Sequence, residues 1–144
     1  MSGICDGGSC ALGCNLVSNK SNLWAYNQWT VTHNGGNGWS VATTASGPDD
    51  AAGTTTKFST SYEWDKKNIT IDLINDFGFS ATQLSSQPAI YVKEYHQTYR
   101  QGSADTYEFS AILKDSSSSN IETYSYSVYP EHGSWNYHEY DFEI

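Results

Sequence analysis

Apolar and polar residues alternate with a period of two through much of the second half of the chain. Residues 106–113 place four apolar side chains on a shared face: Tyr107, Phe109, Ala111 and Leu113. Residues 90–99, 123–128 and 138–144 are predicted as strands in the same way, and 116–120 as a polar turn. Successive side chains of a strand point to opposite faces. The pattern therefore predicts strands with one apolar face to bury and one polar face to expose.

The first half of the chain has shorter segments separated by turn residues. Residues 29–33 place Trp29, Val31 and His33 on one face, and the glycine-rich stretch 34–38 leads into residues 39–41. Glycine and asparagine supply the positive φ angles of tight turns, so we predict a hairpin between these two segments. A second hairpin is predicted from strands at 58–64 and 68–73 joined by a turn at residues 66–67.

Helical periodicity is almost absent. The one predicted helix, 75–84, is short because Gly78 and the pair Thr82 and Gln83 lower its propensity. Residues 43–56 have no apolar rhythm and are predicted as a long exposed loop. Strands with one apolar face pack as two antiparallel sheets, so the predicted fold class is all-β, an antiparallel β-sandwich of jelly-roll (galactose-binding-like) type with one short helix.

Composition supports strands and a single domain. Aromatic residues make up 15% of 144 residues, and aromatic side chains are enriched in strands. Residues 1–14 are predicted as a flexible Cys/Gly-rich leader, and residues 15–144 as one domain. Four aromatic residues lie within strand patterns and are expected in the core: Trp29, Trp39, Tyr62 and Trp64.

Charge and cysteine usage exclude several classes of partner. Sixteen acidic residues against seven basic ones give a net charge of -9, which opposes binding to nucleic acid and to anionic membranes. No run approaches the roughly 20 apolar residues of a membrane span, and the first residues do not resemble a signal peptide, so a cytoplasmic chain is predicted. Cys5, Cys10 and Cys14 lack zinc-site spacing and are expected as free thiols; no metal or cofactor is predicted.

No enzyme is predicted, and no catalytic residue is assigned. The adjacent pairs Glu131-His132 and His138-Glu139 cannot act as dyads, because neighbours on a strand face opposite sides. The sequence has no nucleophile elbow, phosphate loop or His-Glu-x-x-His pattern. Asp49 and Asp50 provide too few oxygens for a calcium site.

Candidate ligand-binding residues lie near predicted strand ends or in polar loops. Aromatic and guanidinium groups are over-represented at binding sites. On that basis the candidates are Tyr95, His96, Arg100, Trp135 and Tyr137. An ion pair of Arg100 with Glu94 or Asp105 is the alternative for that residue.

Several short blocks in fixed order resemble the F-box-associated domain. They include residues 15–19, 29–31, 34–39, 61–64, 71–73, 87–90 and 93–95, with Lys67, Arg100 and the pair Tyr107-Glu108. The resemblance implies a jelly-roll sandwich and a family whose best-known members recognise sugars on glycoproteins. Those members use an aromatic residue in the loop after the first hairpin and a Tyr-Trp-Lys segment near the end of the domain.

This chain departs from the sugar-binding pattern at both places. Residues 43–56 contain no aromatic residue, and the sequence stops at Ile144 before a Tyr-Trp-Lys segment, so the domain is expected to be incomplete at its C-terminus. The predicted function is a non-enzymatic protein-interaction or structural module within a larger assembly. The alternative is recognition of N-linked high-mannose or chitobiose glycans, or of glycoproteins, in ubiquitin-dependent protein turnover.

Overall fold

A computed structural model describes residues 28–43, 56–98, 105–130 and 132–142. These residues form eight strands and one short helix, and their four strand pairs are all antiparallel. The predicted all-β class is confirmed. Each sheet in these ranges has two strands, so the jelly-roll strand order stays a prediction. The chain divides into two compact units, Met1–Ser86 and Gln87–Ile144, which are described separately.

The first unit contains four strands whose pairing differs from the prediction. They are β1 (Thr30–Asn34), β2 (Ser40–Thr43), β3 (Thr56–Ser59) and β4 (Asp65–Asn68). β1 pairs with β4 and β2 with β3, so both predicted hairpins are wrong. The first glycine of the glycine-rich segment is bound to residues at and just before the start of β4. The Gly35 N–H donates to the Trp64 carbonyl at 3.1 Å and to Asp65 Oδ1 at 2.8 Å.

Two predicted strands also have different bounds. The strand predicted at 58–64 ends at Ser59, and residues 69–73 are not a strand. Residues 66–67 lie inside β4 rather than in a turn. Asp72 explains why no strand continues there, because its Oδ1 accepts the backbone N–H groups of Ile74 and Asn75 at 3.0 and 2.9 Å. Such side-chain bonds to nearby backbone favour a turn over a strand.

The predicted aromatic core of the first unit is half correct. Trp29 and Trp39 are partly buried and pack edge-on against Phe58, with ring centroids 6.1 and 6.5 Å apart. Tyr62 and Trp64 are instead 69% and 49% exposed, so their assignment to the core is wrong. Both lie in the connection between β3 and β4, where no alternating strand buries one face.

The helix α1 covers Ala81–Ser85, so it both starts and ends later than the predicted helix 75–84. It starts later than predicted because residues 73–77 form the turn that Asp72 organises. A capping box marks its N-terminus: Ser80 Oγ accepts from the Gln83 N–H at 3.2 Å, and Gln83 Oε1 accepts from the Ser80 N–H at 2.8 Å.

The second unit follows the predicted alternation closely. Its strands are β5 (Ile90–His96), β6 (Tyr107–Lys114), β7 (Asn120–Val128) and β8 (Asn136–Phe142). Every second side chain of β6 is partly buried and the intervening ones are exposed, and β7 and β8 alternate similarly. β6 pairs with β7 across the predicted turn, where Asp115 Oδ1 accepts the N–H groups of Ser117 and Ser119.

Ring contacts join the two sheets of the second unit. β5 pairs with β8, and rings on one side of this pair contact rings of β6 and β7. The Tyr124 and Tyr140 rings stack at 4.3 Å between centroids, and the Tyr126 and His138 rings at 3.8 Å. Phe142, 5% exposed, packs edge-on against Tyr140 at 5.3 Å. The layer between these sheets is therefore built from tyrosine and histidine rings more than from aliphatic side chains.

Candidate functional site

Four of the five predicted binding residues lie on or beside β5 and β8. Tyr95 and Tyr137 are direct partners in the register of this strand pair. His96, Trp135 and Tyr137 line one hollow at the end of the same pair. Arg100, the fifth, lies outside the described residues. The structure thus brings the four into two neighbouring features that share Tyr137.

The first feature is the outward side of the β5–β8 pair. Side chains of a strand alternate between faces, so residues 91, 93 and 95 of β5 lie opposite the packed side, as do their partners on β8. We call this group the outer face; its members are Tyr91, Lys93, Tyr95, Tyr137, Glu139 and Asp141.

Two tyrosine rings and a lysine ammonium group form the centre of the outer face. The Tyr95 and Tyr137 ring centroids are 5.8 Å apart. Lys93 Nζ lies 4.3 Å from the Tyr137 centroid and 5.0 Å from that of Tyr95. A cation over an aromatic face is attracted by the ring quadrupole, which limits the freedom of the lysine side chain. Tyr137 is nevertheless 55% exposed, so its ring presents a large amphipathic surface to solvent.

Glu139 contacts two other polar groups of the outer face, the Tyr91 hydroxyl and the Lys93 ammonium group. Its Oε2 accepts the Tyr91 hydroxyl at 2.6 Å and lies 3.9 Å from Lys93 Nζ. The hydrogen bond to Glu139 raises the pKa of Tyr91 to about 12. The outer face therefore combines exposed tyrosine rings with the ammonium group of Lys93, whose charge is balanced by the nearby Glu139.

The second feature is an open hollow of about 410 Å³ at the end of β5 and β8. It is lined by His96 and by residues 128–130 and 135–138. We call it the aromatic hollow, because Tyr129, Trp135 and Tyr137 provide much of its wall. Its volume falls at the lower end of the range for small-ligand sites, and apolar walls with a few polar groups are typical of them.

His96 contributes a buried ring nitrogen beside the aromatic hollow. The residue is 4% exposed, and its Nδ1 lies 3.0 Å from Glu94 Oε1. The ring stacks between Tyr107 and His138, with centroids 4.6 and 5.5 Å away. Its Nε2 is buried and has no hydrogen-bond partner among the described residues. The ring is thus fixed on three sides while one polar atom remains unsatisfied.

Glu94 fixes the orientation of this imidazole. It also accepts the Tyr107 hydroxyl at 2.9 Å, so both of its oxygens have partners. Burial raises the pKa of Glu94, and the hydrogen bonds from His96 and Tyr107 oppose that effect. The contact between Nδ1 and this carboxyl group therefore holds the imidazole ring in one orientation.

A separate aromatic cluster surrounds Lys67 in the first unit. Its Nζ lies 2.9 Å from the Phe58 ring centroid and 4.7 and 4.4 Å from those of Trp29 and Trp39. Burial lowers the pKa of Lys67 to about 7. The ammonium group of Lys67 therefore lies among three aromatic rings of the first unit.

Within the ranges that the structure describes, no three His, Cys, Asp or Glu side chains are grouped to hold a metal ion. In those same ranges, no helix is long and apolar enough to cross a membrane. What the site offers is aromatic surface with a few directed polar groups, which suits recognition.

Several residues of the site were missed by sequence reasoning. Tyr91 and Lys93 share the alternation of Tyr95, so the period-two pattern of β5 could have placed them on one face. Glu139 and Asp141 join that face only through the pairing of β5 with β8, which skips two intervening strands. No local signal indicates that pairing.

Comparison with known proteins agrees with the ordered sequence blocks. A family model described as the F-box associated region matches residues 8–143. The chain belongs to the F-box-associated family. It is 29% identical over 119 residues to F-box only protein 17 of Rattus norvegicus, an alignment that covers 83% of this chain and 46% of that relative. The chain thus spans about half the length of this curated relative.

The structure gives a physical reason for one block of the F-box-associated resemblance. In residues 34–39, a Cβ added to Gly35 would lie 2.5 Å from the Trp64 carbonyl oxygen. Gly36 and Gly38 have positive φ angles of 53° and 73°, which other residues rarely adopt. The glycines of this block therefore allow the turn to lie close to the end of the β3–β4 connection.

Proposed function

We propose that this F-box-associated domain is a non-catalytic recognition module that binds a protein partner through the outer face, as part of a larger assembly in the cytoplasm. The observation that carries the proposal is the Tyr95–Tyr137 ring pair, of which Tyr137 is exposed, with Lys93 above both rings. Tyrosine is enriched among the residues that dominate binding energy at interfaces. Family membership supports recognition rather than catalysis.

The geometry of the outer face also lowers the entropic cost of binding a partner there. Tyr95 and Tyr137 are paired in register on two hydrogen-bonded strands, so their backbone is ordered before any partner arrives. Ordering side chains costs about 0.5–1.5 kcal/mol each on association, and a preorganised surface reduces that cost. Glu139 further restrains Tyr91 and Lys93 at the edge of the pair.

Affinity enrichment from cells of the source organism tests this function. The bait carries Tyr95→Ala and Tyr137→Ala together, and its matched control carries Tyr62→Ala, an exposed tyrosine of the first unit. We expect the proteins enriched by the wild type to fall at least tenfold with the double variant and to stay unchanged with the control. Equal enrichment by wild type and double variant, with both baits folded by circular dichroism, would contradict the proposal.

Glycoprotein recognition in ubiquitin-dependent turnover is the second candidate. The observation that favours it is the aromatic hollow, where the walls of Trp135 and Tyr137 lie close to polar groups of His96 and Asn136. Sugar rings bind to such sites through their apolar C–H faces and a few directed hydrogen bonds. The match to the F-box associated region also supports it.

A glycan array separates the two candidates. Specific binding to high-mannose or chitobiose glycans that Trp135→Leu abolishes would support glycoprotein recognition. Loss of protein partners with the outer-face variants, together with an empty array, would support the protein-binding module alone.

A further inference from the structure

The outward side of the β6–β7 pair is a further exposed surface of the second unit. The even-numbered residues 108–114 of β6 and the odd-numbered residues 121–127 of β7 are exposed, and the residues between them are partly buried. We call these exposed residues the serine face, because half of them carry small hydroxyl side chains: Ser110, Thr123, Ser125 and Ser127. Small side chains leave the surface of the sheet open to close approach by another molecule.

The large apolar side chains of the serine face lie at one end. Ile112 and Ile121 are 47% and 51% exposed and lie towards the Asp115 turn, whereas Ser110 and Ser127 lie towards the opposite end. One exposed isoleucine is ordinary on a protein surface. Two of them beside small hydroxyl side chains give this face a raised apolar end and a shallow polar end.

The charged side chains of the serine face lie at both ends. Glu108 is near the start of β6, and Lys114 is the last residue of that strand. An extended strand separates them by about 20 Å, so they do not pair with each other. Neither has an ion-pair partner among the described residues. The face therefore presents one negative and one positive group that a second molecule can complement.

The serine face is complementary to a copy of itself under two-fold rotation. A two-fold axis that runs across the strands at the Ala111–Tyr124 register pair turns one copy of the face onto another and reverses its strands. Residues equally far from the axis then lie opposite each other, so Ile112 of each copy meets Ser110 of the other. Large side chains thus meet small ones, as in the interdigitating layer between stacked sheets.

The same rotation pairs the charges. Lys114 of each copy lies opposite Glu108 of the other, which gives two equivalent ion pairs in an isologous dimer. A two-fold axis along the strands instead places Glu108 opposite Ser127, its neighbour in the β6–β7 register, and leaves both charges unpaired. Charge complementarity therefore selects the arrangement with reversed strands.

We propose that the serine face binds a second copy of this chain in a two-fold symmetric, face-to-face dimer, with Ile112 packed against Ser110 and Lys114 paired with Glu108 of the second copy. The dimer interface uses neither the outer face nor the aromatic hollow, so it is independent of the proposed function. The ring layer separates the serine face from the outer face within the second unit. Each dimer consequently presents two outer faces, which favours partners with two binding sites.

The small size of the serine face sets the expected affinity. From strand spacings, seven residues of two strands cover about 300 Å² per copy, below the roughly 800 Å² per partner of a stable complex. A Kd on the order of millimolar is therefore expected, and association is measurable only at high protein concentration.

Sedimentation equilibrium of the intact chain over a concentration series that reaches the millimolar range tests the dimer. A reductant is present, because the chain has three cysteines. We expect a reversible monomer–dimer equilibrium for the wild type. Lys114→Glu and Glu108→Lys, each measured alone, should weaken self-association by about fivefold or more, because both equivalent contacts then join like charges.

An equimolar mixture of these two variants tests the two-fold arrangement. In a mixed dimer both contacts again join opposite charges, so the mixture should associate as the wild type does. The matched control is Lys66→Glu, which changes an exposed lysine of the first unit, makes the same change in net charge as Lys114→Glu and should leave self-association unchanged. In a sample that mixes ¹³C-labelled and unlabelled chain, intermolecular nuclear Overhauser effects should join Ile112 methyl groups to Ser110.

Three results would overturn the dimer. They are a wild type that stays monomeric throughout the series, a mixture that does not recover association, and assembly that continues beyond the dimer, since a two-fold contact closes. If Lys114→Glu lowers the recovery of other proteins in the affinity enrichment while the wild type stays monomeric, the serine face binds a different partner and the second copy is wrong. The outer-face double variant should self-associate as the wild type does, so failure of the dimer and failure of the proposed function are separate outcomes.

Discussion

At the residue scale, Asp65 connects three parts of the first unit. It is 9% exposed, and its two oxygens accept different backbone groups: Oδ1 from Gly35 at 2.8 Å and Oδ2 from Ser61 at 3.0 Å. Ser61 Oγ in turn donates to the Gly35 carbonyl at 2.9 Å. A buried carboxylate with two amide donors holds the glycine-rich turn against the β3–β4 connection.

Asp65→Asn should lower the free energy of unfolding by about 1–3 kcal/mol, because the new amide presents its NH₂ group to one backbone N–H and leaves that donor unsatisfied. Urea unfolding measures the change. The matched control is Glu63→Gln, since Glu63 accepts a single exposed bond from Gly36. Equal losses for both variants would show that Asp65 has no special role.

Glu94 provides a second prediction at the residue scale, because it should make the stability of the fold depend on pH. Burial raises its pKa above the usual 4.5, so the folded state disfavours the ionised form. The associated stability is fully present below pH 4.5 and is lost as the pH rises through the raised value. The stability of the wild type relative to Glu94→Gln should therefore decline from pH 4.5 to 7 in urea unfolding. A difference that stays constant or grows over this range would contradict the raised pKa.

At the element scale, the two halves differ in how much their sequence predicts. Alternation is a local signal, and β6, β7 and their Asp115 turn follow it with bounds close to those expected. The pairing of β1 with β4 is accompanied by the hydrogen bond that Asp65 Oδ1 accepts from Gly35, 30 residues earlier in the chain, and no periodic pattern encodes this contact. The same limit applies to the site: Tyr95 and Tyr137 are recognisable as candidates, but their contact arises only from the long-range β5–β8 register.

The tyrosine layer between the sheets of the second unit allows a paired prediction. Tyr126 has a buried hydroxyl without a partner among the described residues, whereas the Tyr107 hydroxyl donates to Glu94. Tyr126→Phe should leave the free energy of unfolding unchanged or raise it, and Tyr107→Phe should lower it by about 1–3 kcal/mol, because Glu94 loses a buried donor. Thermal or urea unfolding distinguishes them; a larger loss for Tyr126→Phe would contradict the hydrogen-bond assignment.

At the scale of the whole molecule, both features of the proposed recognition site lie in the second unit. The outer face and the aromatic hollow share Tyr137 and lie on one strand pair. The first unit packs Trp29 and Trp39 against Phe58 and places Lys67 Nζ over both tryptophan rings. Its exposed Tyr62 is consequently a matched reference for tyrosines of the proposed interface.

Hydroxyl-radical footprinting of the complex recovered by affinity enrichment tests the central claim directly, because it reports on side-chain exposure without any substitution. The proposed function predicts that oxidation of Tyr91, Tyr95 and Tyr137 falls severalfold in the complex while oxidation of Tyr62 is unchanged. Equal oxidation of the three outer-face tyrosines in the isolated chain and in the complex would contradict binding through this face.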